Sequence, residues 1–213
     1  MSATPRAPFL FALGVGAAGA FALMARAVAR RKTAPIDHEI HGRVAVETGH
    51  PIREAAEVAS PIGKWWTYVP AAAVTAACVG GCSTRASRVH GAAAIVAAAA
   101  AAALINKRLD ELPQPPAPPG RPSPTHPVFP SGHAFGTAAV ALTAAYILSR
   151  EELVAATIGF PLAMTVPTLA SLARMAEEKH WFSDIIGGHL AALTLAAMAT
   201  AAYEMGRARG TGE

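Results

Sequence analysis

Residues 89–105 read VHGAAAIVAAAAAAALI, 17 positions with no Asp, Glu, Lys or Arg and ten alanines. Such a run suits either a helix inside a bilayer or one in an alanine-rich soluble bundle. Alanine inserts into lipid less willingly than leucine or phenylalanine, so the absence of charge weighs as much as greasiness. Working outward, five more stretches share that absence: 9–24, 65–79, 134–148, 153–172 and 185–203. A bilayer core of ~30 Å needs ~20 helical residues, so the shorter stretches are expected to extend into their polar flanks. Trp65, Trp66 and Tyr68 open the second stretch as an interfacial aromatic belt. Pro161 and Pro167 lie in the fifth, which membrane helices tolerate when neighbours satisfy the freed carbonyls.

Composition agrees with a membrane setting. The 213 residues are 53% hydrophobic and 15% charged, with mean hydropathy +0.34, against ~25% charged in soluble chains. Such apolarity excludes disorder, and 2 cysteines cannot staple a disulfide scaffold. A scattered net charge of +4 leaves no nucleic-acid footprint. The fold class expected is all-α: a six-helix transmembrane bundle with a short amphipathic surface segment and a Pro-rich loop. Residues 1–33 form the N-terminal membrane helix, with a cleavable signal peptide as the competing reading. Residues 34–213 form the main helical domain, opening with one or two surface helices over 36–63.

The sharpest break in composition is 113–130, where nine positions are proline, out of 17 in the chain. This segment cannot be helical and should run extended. It ends in Pro130-Ser131-Gly132-His133, directly before a helical pattern. The backbone N–H groups of Ser131, Gly132 and His133 then lie at a helix N-terminus, a natural phosphate cradle. A second polar island, 174–184, holds Arg174, His180 and Asp184. His180 and Asp184 are four apart, so on a helix they share a face. A carboxylate there accepts the imidazole Nδ1–H and leaves Nε2 basic, as a nucleophile requires. Two crossings separate the Pro-rich loop from this island, so both meet one membrane face. Two histidines, two arginines and a helix N-terminus converging there suit phosphoryl chemistry.

Arg121-Pro122, Pro130-Ser131-Gly132-His133 and Arg174-x5-His180-x3-Asp184 together resemble the type-2 phosphatidic acid phosphatase family. Its fold is shared with vanadium haloperoxidases and bacterial class A acid phosphatases. The family pattern is Lys-x6-Arg-Pro, Pro-Ser-Gly-His, then Ser-Arg-x5-His-x3-Asp. Here Ala173 replaces the usual serine and Gln114 stands at the lysine position, with Lys107, or as the second choice Arg108, at the end of the third stretch as the substitute. The resemblance spans roughly 36–203 and implies an integral membrane phosphatase acting on a lipid phosphate or diphosphate through a phosphohistidine. It implies that His180 attacks phosphorus, Asp184 orients His180, and His133 protonates the leaving group and then activates water. Lys107, Arg121 and Arg174, with the cradle at Ser131 and Gly132, hold the phosphate oxygens. No metal and no cofactor are implied. The partners expected are the bilayer and its lipid phosphate, with no nucleic acid. A non-catalytic lipid-binding or lipid-translocating protein on the same fold is the alternative, and intact His133, His180 and Asp184 weigh against it.

The resemblance also implies a cytoplasmic N-terminus and a site on the extracytoplasmic face. Arg26, Arg30, Arg31 and Lys32 after the first stretch read the other way under the positive-inside rule, whereas Arg150, Arg207 and Arg209 agree with it. Signal-peptide cleavage would remove that conflict. His189, nine positions after His180, is expected to face away from the site, in a hydrogen bond to a neighbouring helix.

Overall fold

Every charge-free run is helical apart from residues 153–155, and each of these helices is longer than its run. The computed structural model describes residues 6–81, 86–109, 111, 115–118 and 129–210. Its elements are α1 (Arg6–Ala29), α2 (Ala34–Val44), α3 (Pro51–Ala59), a 3-10 turn (Ser60–Gly63), α4 (Trp65–Gly80), α5 (Ala86–Leu109), α6 (Gly132–Arg150), α7 (Ala156–Ala176) and α8 (Phe182–Gly210). No strand occurs among the described residues. Charged residues join the helix ends because long side chains reach the interface while their stems stay in apolar surroundings. Arg26, Lys107 with Arg108, Arg150, and Arg207 with Arg209 all occupy last turns, where cations also complement the helix dipole.

Five helices, α1, α5, α6, α7 and α8, are long and apolar enough to cross a membrane. The sixth, α4, has 16 residues with Pro70 inside, a length of about 24 Å. The 3-10 turn stops its backward extension: the Lys64 backbone is extended and its N–H bonds the Pro61 carbonyl.

Packing runs opposite to that of a water-soluble protein. The buried core is mostly alanine, including Ala72, Ala99, Ala102, Ala139 and Ala192, while Phe9, Leu23, Val74, Leu104, Leu162 and Leu169 are exposed. Small residues let helix backbones approach where lipid removes the hydrophobic drive between helices, and large side chains then face the acyl chains. Helix α8 is the central post, packing against α1, α5 and α6, while α7 packs on α6.

The 35–64 segment does form two short helices, but it also braces the loop between α7 and α8. Asp37 accepts the Ser183 N–H and hydroxyl, both at 2.8 Å. Arg53 reaches Glu178 at 3.2 Å, and the Val46 N–H bonds the Ala176 carbonyl. The 113–130 loop falls outside the described residues except at 115–118, 129 and 130. Trp181 donates its indole N–H to the Pro116 carbonyl at 2.9 Å.

Candidate active site

The starts of α4, α6 and α8 and the ends of α5 and α7 meet at one end of the bundle. Ser131 caps α6, its hydroxyl accepting the Ala134 N–H at 3.4 Å. Its own N–H donates to the Asp184 carbonyl at 2.9 Å, joining the starts of α6 and α8. That bond corrects the expected cradle. The Ser131 amide is committed, so the helix-terminal donors are the Gly132 and His133 amides, which lie where no intrahelical acceptor exists. The Ser131 hydroxyl still has its hydrogen to donate. Gly188 permits this junction: a Cβ there would sit 2.8 Å from the Ser131 carbonyl oxygen. Asn106 holds the same turn from α5, donating to the Gly132 carbonyl at 3.2 Å and to the Tyr68 hydroxyl at 3.3 Å.

His180 is 5% exposed and Asp184 fully buried. His180 lies before α8 rather than on it. Asp184 reaches back across the first turn, with Oδ2 3.5 Å from His180 Nδ1 and accepting the Trp181 N–H at 2.8 Å. A capping turn, not a shared helix face, therefore brings the pair together. At 3.5 Å the two side chains are within ion-pair range.

His133 lies within electrostatic reach of Arg174, His180, Lys64 and Lys179. Its Nε2 is buried and has no hydrogen-bond partner among the described residues. Arg174, in the last turn of α7, donates through Nη1 to the Ser60 hydroxyl at 2.7 Å and to Glu177 at 2.9 Å. Lys179 pairs with the same Glu177 oxygen.

The sequence expectations are met unevenly in geometry. His133, His180, Asp184, Arg174, Ser131 and Gly132 gather at this end. Arg121 lies outside the described residues. Lys107 is exposed on the last turn of α5, at the same end. His189 Nδ1 lies 3.0 Å from the Ile185 carbonyl of its own helix, not against a neighbouring one. Sequence reading missed the 60–64 turn. Ser60 holds Arg174, Lys64 adds charge near His133, and Gly63 packs on the His133 ring. The only sequence signal was position, directly before an interfacial aromatic belt.

Residues 90–207 match the model of the PAP2 superfamily, and the chain belongs to that superfamily. It is similar in fold to the crystal structure of a transmembrane PAP2-type phosphatidylglycerolphosphate phosphatase from Bacillus subtilis. The TM-score is 0.70 at 19% identity, covering 88% of this chain and 94% of that one. None of the curated proteins compared with it matches.

Proposed function

We propose that the chain is a multi-pass membrane phosphatase that hydrolyses a lipid phosphate or diphosphate at this end of the bundle. The observation that carries the reading is the buried Nε2 of His133, which has no hydrogen-bond partner among the described residues and is set among Arg174, Lys64 and Lys179 beside the His180–Asp184 pair. Cations, a helix start and two histidines around a water-poor corner suit a tetrahedral anion and little else.

In this mechanism His180 Nε2 attacks phosphorus in line, and the P–O bond to the lipid breaks as a P–N bond forms. The proton on His133 passes to the departing oxygen. Water then gives a proton to His133 and attacks phosphorus, the P–N bond breaks, and inorganic phosphate leaves. Asp184 fixes the His180 tautomer and faces the positive imidazolium. Arg174 and Arg121, with Lys107 as the third cation, balance the phosphate oxygens, assisted by the Gly132 and His133 amides and the Ser131 hydroxyl. Nothing in this sequence of bonds needs a metal ion or cofactor.

Exposed Trp65 and Trp66 stand at the start of α4, at the same end of the bundle, and such aromatic residues sit at the level of lipid head groups. Phosphatidylglycerol phosphate, for which the Bacillus subtilis phosphatase is named, joins phosphatidate and polyprenyl phosphates or diphosphates as candidates. The test is phosphate release from that panel by purified protein in lipid nanodiscs, with and without chelator. His180→Ala is expected to lose at least ~10³-fold in kcat. Equal release by the wild type and His180→Ala would reject the enzyme reading.

A further inference from the structure

A carboxylate sits where an anion-binding site has least use for one. Glu177 is 1% exposed, and its Oε2 serves both Arg174, at 2.9 Å, and Lys179. Its Oε1 is buried with no hydrogen-bond partner among the described residues. The two Nη1 hydrogens of Arg174 are divided between Glu177 and Ser60. A planar guanidinium held by two acceptors on one nitrogen cannot rotate, so the rest of its fork has a fixed direction. Lys179 is 37% exposed and is anchored on its inner side by Glu177.

We propose that Glu177 is a positioning residue with a second effect. Together with Ser60 it locks Arg174 for phosphate, and its negative charge lowers the site's grip on the anion so that product leaves. The inference rests on the phosphatase reading above. The two effects pull measurable quantities in opposite directions. Alignment lowers the barrier, because misplaced donors lose transition-state stabilisation. A nearby negative charge weakens anion binding in a poorly hydrated site. A residue with a merely structural role would not split them.

The experiment uses the full chain in nanodiscs, combining calorimetric titration with inorganic phosphate and steady-state kinetics on one lipid phosphate. Glu177→Gln is expected to bind phosphate at least ~3-fold more tightly while kcat falls about tenfold. Ser60→Ala removes one acceptor without changing charge, so kcat should fall about threefold with no gain in phosphate affinity. Glu177→Asp keeps the charge and loses reach, so phosphate affinity should stay near wild type while kcat drops. Phosphate binding by Glu177→Gln that is unchanged or weaker, or kcat within about twofold of wild type, overturns the proposal. Should Glu177→Gln not fold, unchanged kcat in both other variants overturns it. Tighter phosphate binding by Glu177→Gln in a protein that cleaves no lipid phosphate would sink the phosphatase reading and leave the charge effect standing.

Discussion

Gly63 shows how close the surface segment comes to the chemistry. A Cβ at this position would lie 2.7 Å from both Cβ and Cγ of His133, inside van der Waals contact. The imidazole is part of a buried corner and the 3-10 turn is braced by Ser60, so one of them must shift. Gly63→Ala is therefore expected to cost about 1–3 kcal/mol of stability and about 100-fold in kcat through displacement of His133. Parallel thermal unfolding and phosphate-release measurements check this. Wild-type turnover in a folded Gly63→Ala protein would mean the contact has no bearing on catalysis. At this scale the sequence was informative where polar residues are rare. His133, His180, Asp184 and Arg174 stand out in a chain that is 15% charged, and their spacing carries meaning. Ser60, Gly63 and Lys64 did not stand out, because each gains its role from a partner far along the chain, as Gly63 does with His133. Local spacing encodes no such contact.

Helix ends were legible to within a few residues because charge marks them, yet what the far ends do to one another was not. At the end of the bundle opposite the site, Glu204 of α8 accepts from Arg150 Nε at 2.6 Å and from the Tyr146 hydroxyl at 2.8 Å. Nearby, Glu151 receives the Tyr203 hydroxyl, with Ser87 at 3.2 Å and Arg88 at 3.6 Å. These bonds tie α5, α6 and α8 together where alanine contacts alone offer little dispersion energy. Glu204→Ala leaves the partly buried Arg150 without its carboxylate and is expected to cost about 1.5–3 kcal/mol, read as a lowered unfolding midpoint in detergent. Turnover below that midpoint should persist, since the network lies at the other end of the molecule. An unchanged midpoint would show that the alanine seams hold the bundle without it. Arginines and glutamates at helix ends read in sequence as solvated charge. Their pairing depends on helix order in space, which hydropathy does not give.

Across the whole molecule the membrane reading rests on inversion, with alanine inside and Phe, Leu and Val outside. Six hydrophobic stretches were legible because the bilayer imposes a length and excludes charge. The short α4 departs from that length because the 60–63 turn ends it in order to reach His133 and Arg174. The ends of α1, α5 and α7 and the starts of α4, α6 and α8 share the side of the site, so its orientation follows from any one loop. We propose the extracytoplasmic side, against the charge of the 26–32 cluster. A periplasmic-type phosphatase reporter fused at Gly120 should be active and the same reporter after Arg209 inactive. The reverse pattern would place the site in the cytoplasm.

The most direct measurement is rapid-quench trapping of the enzyme during turnover of a lipid bearing ³²P in its phosphate, stopped in alkali and mapped by peptide. The expected result is acid-labile label on the peptide containing His180, absent in His180→Ala and, in His133→Ala, slower to form but longer-lived after a chase with unlabelled lipid, because both steps use His133. Label on another residue, or turnover with label on none in either His133 background, would contradict a phosphohistidine at His180.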